Sequence, residues 1–283
     1  MRPLVDAGWL AAHLDDPAVV VADVRWYPDG RSGRDAYESG HVPGAVYVDL
    51  DGVLAADPST GAGRHPLPDP GVFAGAMGRL GIGEHATVVA VDDAGGAIAS
   101  RLWWMLRAVG QDAAVLDGGM ASWTGTVETG VGRQLPTVAR TPVPWPVDRL
   151  ATAEEVAAVA EGRVDRVRLL DARAPERYRG DIEPLDLRAG HIPGAVNAPF
   201  AANLDAETRR FRPAEELRVR YTGILGEPPQ GAIAYCGSGV TACHTLLALE
   251  VAGLQPGRLF VGSWSEWSGR ADRPIGTGDD EVG

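Results

Sequence analysis

Residues 232–253 read AIAYCGSGVTACHTLLALEVAG. Four mostly apolar residues run into Cys236, Gly237 and Gly239 bracket Ser238, and a long apolar, helix-like run follows. An apolar run of β character, a glycine-rich turn and a helical run predict a strand, a tight loop and a helix. Apolar strands separated by helices imply a parallel sheet covered on both faces. In such folds ligands sit in the loop beyond a strand's carboxyl end. The chain has only two cysteines in 283 residues, and one of them stands at that position.

The same pattern occurs twice. DVRWYPDGRSGRDAYESGHVPGAVYVD (23–49) answers DARAPERYRGDIEPLDLRAGHIPGAVNAP (171–199). VVAVDDAGGAIASRLWWMLRAVG (88–110) answers residues 232–253, and VLDGGMASW (115–123) answers LFVGSWSEW (259–267). Three ordered matches at nearly constant offset mark a duplication. Between them TGTVETGVGRQLPTVARTPVPWPVDR (124–149), with four prolines and little periodicity, reads as a linker. Two α/β domains are therefore expected, 1–145 including the linker and 146–283. Thr152 with Glu155 predicts a capping box at the first helix of the second domain. Matching Gly239 to Gly96 sets Cys236 opposite Asp93, so the first domain keeps the scaffold without the nucleophile. His41 and His191 recur at equivalent positions, which points to a structural role in the turn.

Composition narrows the function classes. The chain is 45% hydrophobic and 23% charged, with a formal net charge of −12. An acidic surface argues against nucleic acid or an anionic membrane as the main partner. The opening MRPLVDAGWLAAHLDD lacks the apolar core of a signal peptide. No stretch approaches the roughly 20 apolar residues of a membrane span. Cys236 and Cys243 cannot make a disulfide framework, so a reducing cytoplasm fits best. The six histidines show no spacing typical of a metal site.

Gly237 and Gly239 let the loop curl and turn successive N–H groups inward. A helix expected from Val240 or Thr241 adds the partial positive charge of its N-terminus. Both effects favour an anion, and the first anion present is the thiolate of Cys236, a nucleophile. Cys243, seven residues on and inside the helix, reads as core.

Tandem domains carrying GHVPGA and GHIPGA, a DAR…RYRG segment, and a cysteine heading a glycine-rich loop resemble the rhodanese sulfurtransferases. The likeness spans essentially the whole chain. Within the family CGSGVTA resembles the 3-mercaptopyruvate branch, whereas thiosulfate-using relatives carry Arg and Lys after the cysteine. The resemblance implies two tandem rhodanese-like domains, each a small parallel sheet with helices on both faces. It implies sulfur transfer from 3-mercaptopyruvate through a Cys236 persulfide to a thiol, such as that of a thioredoxin-like protein, or to cyanide. It implies no cofactor and no metal.

Residue by residue, the resemblance assigns proton movement to Ser238 with His65 and Asp51, from VDLDGVLAADPSTGAGRHPLP (48–68). It assigns the donor's carboxylate to a pair of arginines and to the loop Gly237, Gly239, Val240 and Thr241. Arg177 in ERYRG matches the first arginine. The second is expected after EP, where this chain has Leu185; Arg188 is the nearest replacement and Arg179 the other. The alternative donor is thiosulfate with cyanide as acceptor. A loop without its own cations disfavours a dianionic donor. A phosphatase would need Arg as the sixth residue after the cysteine, and that residue is Ala242.

Overall fold

Strands β1 (Leu4–Val5), β2 (Val19–Asp23), β3 (Val46–Tyr47), β4 (Thr87–Val91) and β5 (Ala113–Leu116) form one sheet, ordered β1-β5-β4-β2-β3. Strands β6 (Val167–Asp171), β7 (Val196–Asn197), β8 (Gly231–Tyr235) and β9 (Arg258–Leu259) form another, ordered β7-β6-β8-β9. Every strand pair is parallel. Where β1 lines the edge of the first sheet, the second has, among the described residues, one parallel bridge, Leu150 to Leu259. This computed structural model describes residues 1–226 and 231–279. Among them no helix is long and apolar enough to cross a membrane.

The chain divides into two compact units. The first is Met1–Ala56, Leu67–Pro146 and Ala206–Phe211; the second is Asp57–Pro66, Val147–Asp205 and Arg212–Gly283. The main cut follows Pro146, and two short segments are exchanged, which a single cut in the sequence does not anticipate. The linker segment is held to the first unit rather than loose. Trp145 lies 5.2 Å from Phe73 ring to ring and donates its indole N–H to the Pro68 carbonyl at 2.8 Å.

Each central strand is buried on both faces, as a sheet between helix layers requires. In the second unit Leu169, Ile233, Tyr235, Phe260, Trp264 and Trp267 share one core cluster. The expected capping box is present: Thr152 and Glu155 exchange side-chain-to-backbone bonds at the start of the helix Ala153–Ala160.

The repeated motifs build the same joints twice. In DVR and DAR the arginine grips the aspartate two residues back. Arg25 Nη2 lies 2.7 Å from Asp23 and 2.7 Å from the Gly40 carbonyl. Arg173 Nη2 lies 2.6 Å from Asp171 and 2.7 Å from the Gly190 carbonyl. His41 and His191 stack on Tyr37 and Tyr178 with ring centroids 3.9 and 3.8 Å apart. Each also shares a 2.8 Å hydrogen bond through Nδ1 with the carbonyl of that tyrosine. Their role is structural.

Strand register corrects one equivalence. Asp23 pairs with Val91, and Asp171 pairs with Tyr235. The counterpart of Cys236 is therefore Asp92, not Asp93. Anchoring the repeat on Gly96 slipped it by one residue, and in a pleated strand such a slip changes the face of every side chain.

Candidate active site

Cys236 directly follows β8, and the helix Ala242–Val251 begins six residues later, one or two residues beyond the expected start. The loop between them, including Gly237, Ser238, Gly239 and Val240, is buried, with Cys236 only 2% exposed and Thr241 partly covered. The Gly239 N–H donates to Cys236 Sγ at 3.1 Å. Gly239 has φ +78°, and a Cβ there would lie 2.3 Å from the Val261 carbonyl oxygen. Gly239→Ala is expected to cost about 1–3 kcal/mol from strain and overpacking. Chemical denaturation of that variant checks this, and an unchanged midpoint contradicts it.

A second residue fixes the cysteine's own peptide. Ser263 accepts the Cys236 N–H at 3.1 Å and donates to the Phe260 carbonyl at 2.9 Å. It does so at φ +52°, a conformation costing a non-glycine residue about 1–2 kcal/mol. Its counterpart in the first unit is Gly119, at φ +56°. The Trp264 N–H then donates to the Cys236 carbonyl at 3.0 Å and the Ser265 N–H to the Gly237 carbonyl at 2.9 Å.

The first unit shows what this loop geometry holds when the cysteine is replaced. The Asp92 carboxylate accepts N–H groups of Ala94 and Gly96 through one oxygen, at 3.0 and 2.8 Å. The other oxygen accepts those of Ile98 and Ala99, at 2.8 and 2.9 Å. Four amides converge on one anion at a strand–helix junction. The duplicated scaffold is an anion cradle, filled by a carboxylate in one copy and headed by a thiol in the other.

Ser238 and His65, 173 positions apart in sequence, meet: Oγ and Nδ1 are 2.7 Å apart and both side chains are buried. The segment carrying His65 belongs to the second unit. Asp51 belongs to the first unit, where it accepts the Trp26 indole N–H at 2.8 Å.

Two guanidinium groups gather at Gly237. A Cβ on that residue would lie 2.9 Å from Arg64 Nη2, and 3.5 and 3.6 Å from Arg177 Nη1 and Nη2. Arg177 Nη2 bonds Glu183 at 2.6 Å and Asp186 at 3.3 Å, and Arg64 Nη1 bonds the other oxygen of Asp186. Glu183 also receives Arg173 Nη1 at 3.2 Å. Burial pushes the Asp186 carboxyl up from its ordinary value, opposed by the charge of Arg64 and reinforced by that of Glu183.

Arg188 is used elsewhere. Its guanidinium donates to the Ser268 carbonyl at 2.7 Å, Arg273 at 3.0 Å and Trp267 at 3.2 Å, and also to Arg270. That engagement ties down the chain after Trp267 and leaves Arg188 a poor candidate for a clamp. Arg179 bonds Asp181 at 2.8 Å, and Leu185 is half exposed. Arg64, Glu183 and Asp186 are residues beside the loop that the sequence does not single out. The signal for Arg64 was its place beside His65 in GRHPLP. The loop itself carries no cation, as expected, but its neighbours supply two.

The rhodanese-like domain family matches residues 6–126 and again 152–270. The chain is 41% identical to a probable 3-mercaptopyruvate sulfurtransferase of Pseudomonas aeruginosa, over 98% of each chain. It is 42% identical to a putative thiosulfate sulfurtransferase of Mycobacterium tuberculosis, over 97% of each. The crystal structure of SseA from Escherichia coli, a 3-mercaptopyruvate sulfotransferase, superposes with a TM-score of 0.81 at 32% identity. That match covers 94% of this chain and all of the other. The chain thus belongs to the rhodanese-like family, as a sulfurtransferase with two such domains in tandem.

Proposed function

We propose that the chain moves one sulfur atom from 3-mercaptopyruvate, through a persulfide on Cys236, to a thiol or to cyanide. The observation that carries this reading is the convergence on one buried loop of a thiol, an amide aimed at it, a Ser238–His65 pair and an arginine pair. The Cys236 thiolate attacks the donor's sulfur, the S–S bond forms and the C–S bond breaks. The departing electron pair becomes the enolate of pyruvate, which takes up a proton to give pyruvate. Ser238, bonded to His65, is the loop hydroxyl through which that proton can pass. An acceptor thiolate, such as that of a thioredoxin-like protein, or cyanide then attacks the outer sulfur and frees the Cys236 thiolate.

Donor choice follows from charge. Arg64, Arg173 and Arg177 are matched by Asp171, Glu183 and Asp186, so the cluster is formally neutral. A monocarboxylate can share one arginine edge, and planar bidentate pairing suits a carboxylate. A dianion would bring twice the charge to a site with no net positive charge. The alternative donor, thiosulfate, is favoured by one of the relatives' names and by the second guanidinium at Gly237. Side-by-side steady-state kinetics decide between them. The kcat/KM for 3-mercaptopyruvate is expected to exceed that for thiosulfate at least about tenfold, or about 1.4 kcal/mol. Equal values, or a preference for thiosulfate, would overturn the donor assignment and leave the persulfide intact.

A further inference from the structure

We propose that Arg64 is the second arginine of the donor clamp, in the role that sequence reading gave to Arg188. This deepens the reading of the chain as a transferase that takes sulfur from an acidic donor at Cys236.

The placement of Arg64 is built, not incidental. Its backbone N–H donates to Ser265 Oγ at 3.0 Å, and the Ser265 N–H donates to the Gly237 carbonyl at 2.9 Å. One residue thus ties the arm carrying Arg64 to the cysteine loop. Gly63, at φ +87°, allows this approach, since a Cβ there would lie 2.5 Å from the Gly262 carbonyl oxygen. Only glycine fits both the dihedral and the gap.

The arginines already grip a carboxylate in the manner a donor would need. Asp186 is 5% exposed and is held by Arg64 on one oxygen and by Arg177 on the other. Arg64 keeps 31% of its side chain exposed, and its Nη2 faces Gly237. Arg177 turns both of its Nη atoms toward Gly237, 3.5 and 3.6 Å from where a Cβ would lie. Two arginines flanking the cysteine loop, both presenting terminal N–H groups to Gly237, form a fork for a small carboxylate. Position 185, expected to carry the second arginine, is leucine, so the charge missing there is supplied from the 57–66 segment.

Steady-state kinetics on the full chain test this, with 3-mercaptopyruvate as varied donor. A single-turnover measurement of sulfur removal by cyanide from the persulfide-loaded protein accompanies them. Arg64→Gln is expected to raise KM about tenfold or more while kcat and the cyanide step stay within about threefold. Arg64→Lys should lie between, because an ammonium keeps the charge but not the fork. If Arg64→Gln does not fold, Arg64→Lys carries the test through its smaller KM rise. An unchanged KM overturns the proposal. So does a parallel fall in kcat and in the cyanide step, which would mean that Arg64 only shapes the loop. Should the wild type fail to release pyruvate from 3-mercaptopyruvate, the donor reading fails by itself. The KM for thiosulfate in the same variants then decides the role of Arg64: a rise supports it and no change overturns it.

Discussion

Cys236→Ser is expected to abolish sulfur transfer while leaving the protein folded. A serine hydroxyl at this position is not ionised at neutral pH and cannot carry a sulfane sulfur, so both half-reactions stop at once. The substitution nearly conserves volume, and the serine oxygen can still accept the Gly239 N–H that now reaches Sγ. Stability should therefore change by less than about 1.5 kcal/mol. Cys243→Ser is the matched control. That thiol is fully buried in the helix after the loop and donates to the Gly239 carbonyl at 3.4 Å, a bond that a hydroxyl can replace. Most activity should survive. Assays of both variants alongside thermal melts separate the two cases. Activity in folded Cys236→Ser, or its loss in folded Cys243→Ser, would move the nucleophile elsewhere.

Arg177→Ala is expected to lower kcat/KM for 3-mercaptopyruvate by about 2–4 kcal/mol, roughly 30- to 1000-fold. The loss has two sources. The donor's carboxylate loses a contact beside Gly237, and Glu183 and Asp186 lose one of their counter-charges. The second source is limited, because Glu183 retains Arg173 and Asp186 retains Arg64. The fold should therefore persist, and the defect should appear in donor turnover rather than in melting temperature. A loss below about fivefold, in a folded variant, would remove Arg177 from the clamp.

How much of this was legible in the sequence depends on how local each signal is. Strand–loop–helix order around Cys236 and the duplication were readable because apolar runs, glycines and ordered matches are local patterns. The register of the repeat was off by one, since two adjacent glycines, Gly95 and Gly96, offer two anchors and only strand pairing distinguishes them. The meeting of His65 with Ser238 came from resemblance alone, because nothing periodic in residues 57–66 indicates which unit they join. Arg188 looked available because sequence shows a charge and not the carbonyls that occupy it. Arg64 stood unremarked for the converse reason. Its function depends on Gly63 and Ser265 bringing it to Gly237, and both are long-range relations. The buried acids Glu183 and Asp186 were invisible for the same cause.

The central claim is that sulfur rides on Cys236. Mass spectrometry of the protein treated with 3-mercaptopyruvate, with acceptor omitted, tests it most directly. The intact chain is expected to gain the mass of one sulfur atom, the gain to map to the peptide containing Cys236, and cyanide to remove it. No gain under conditions where pyruvate is released, or a gain that maps to Cys243 instead, would contradict it.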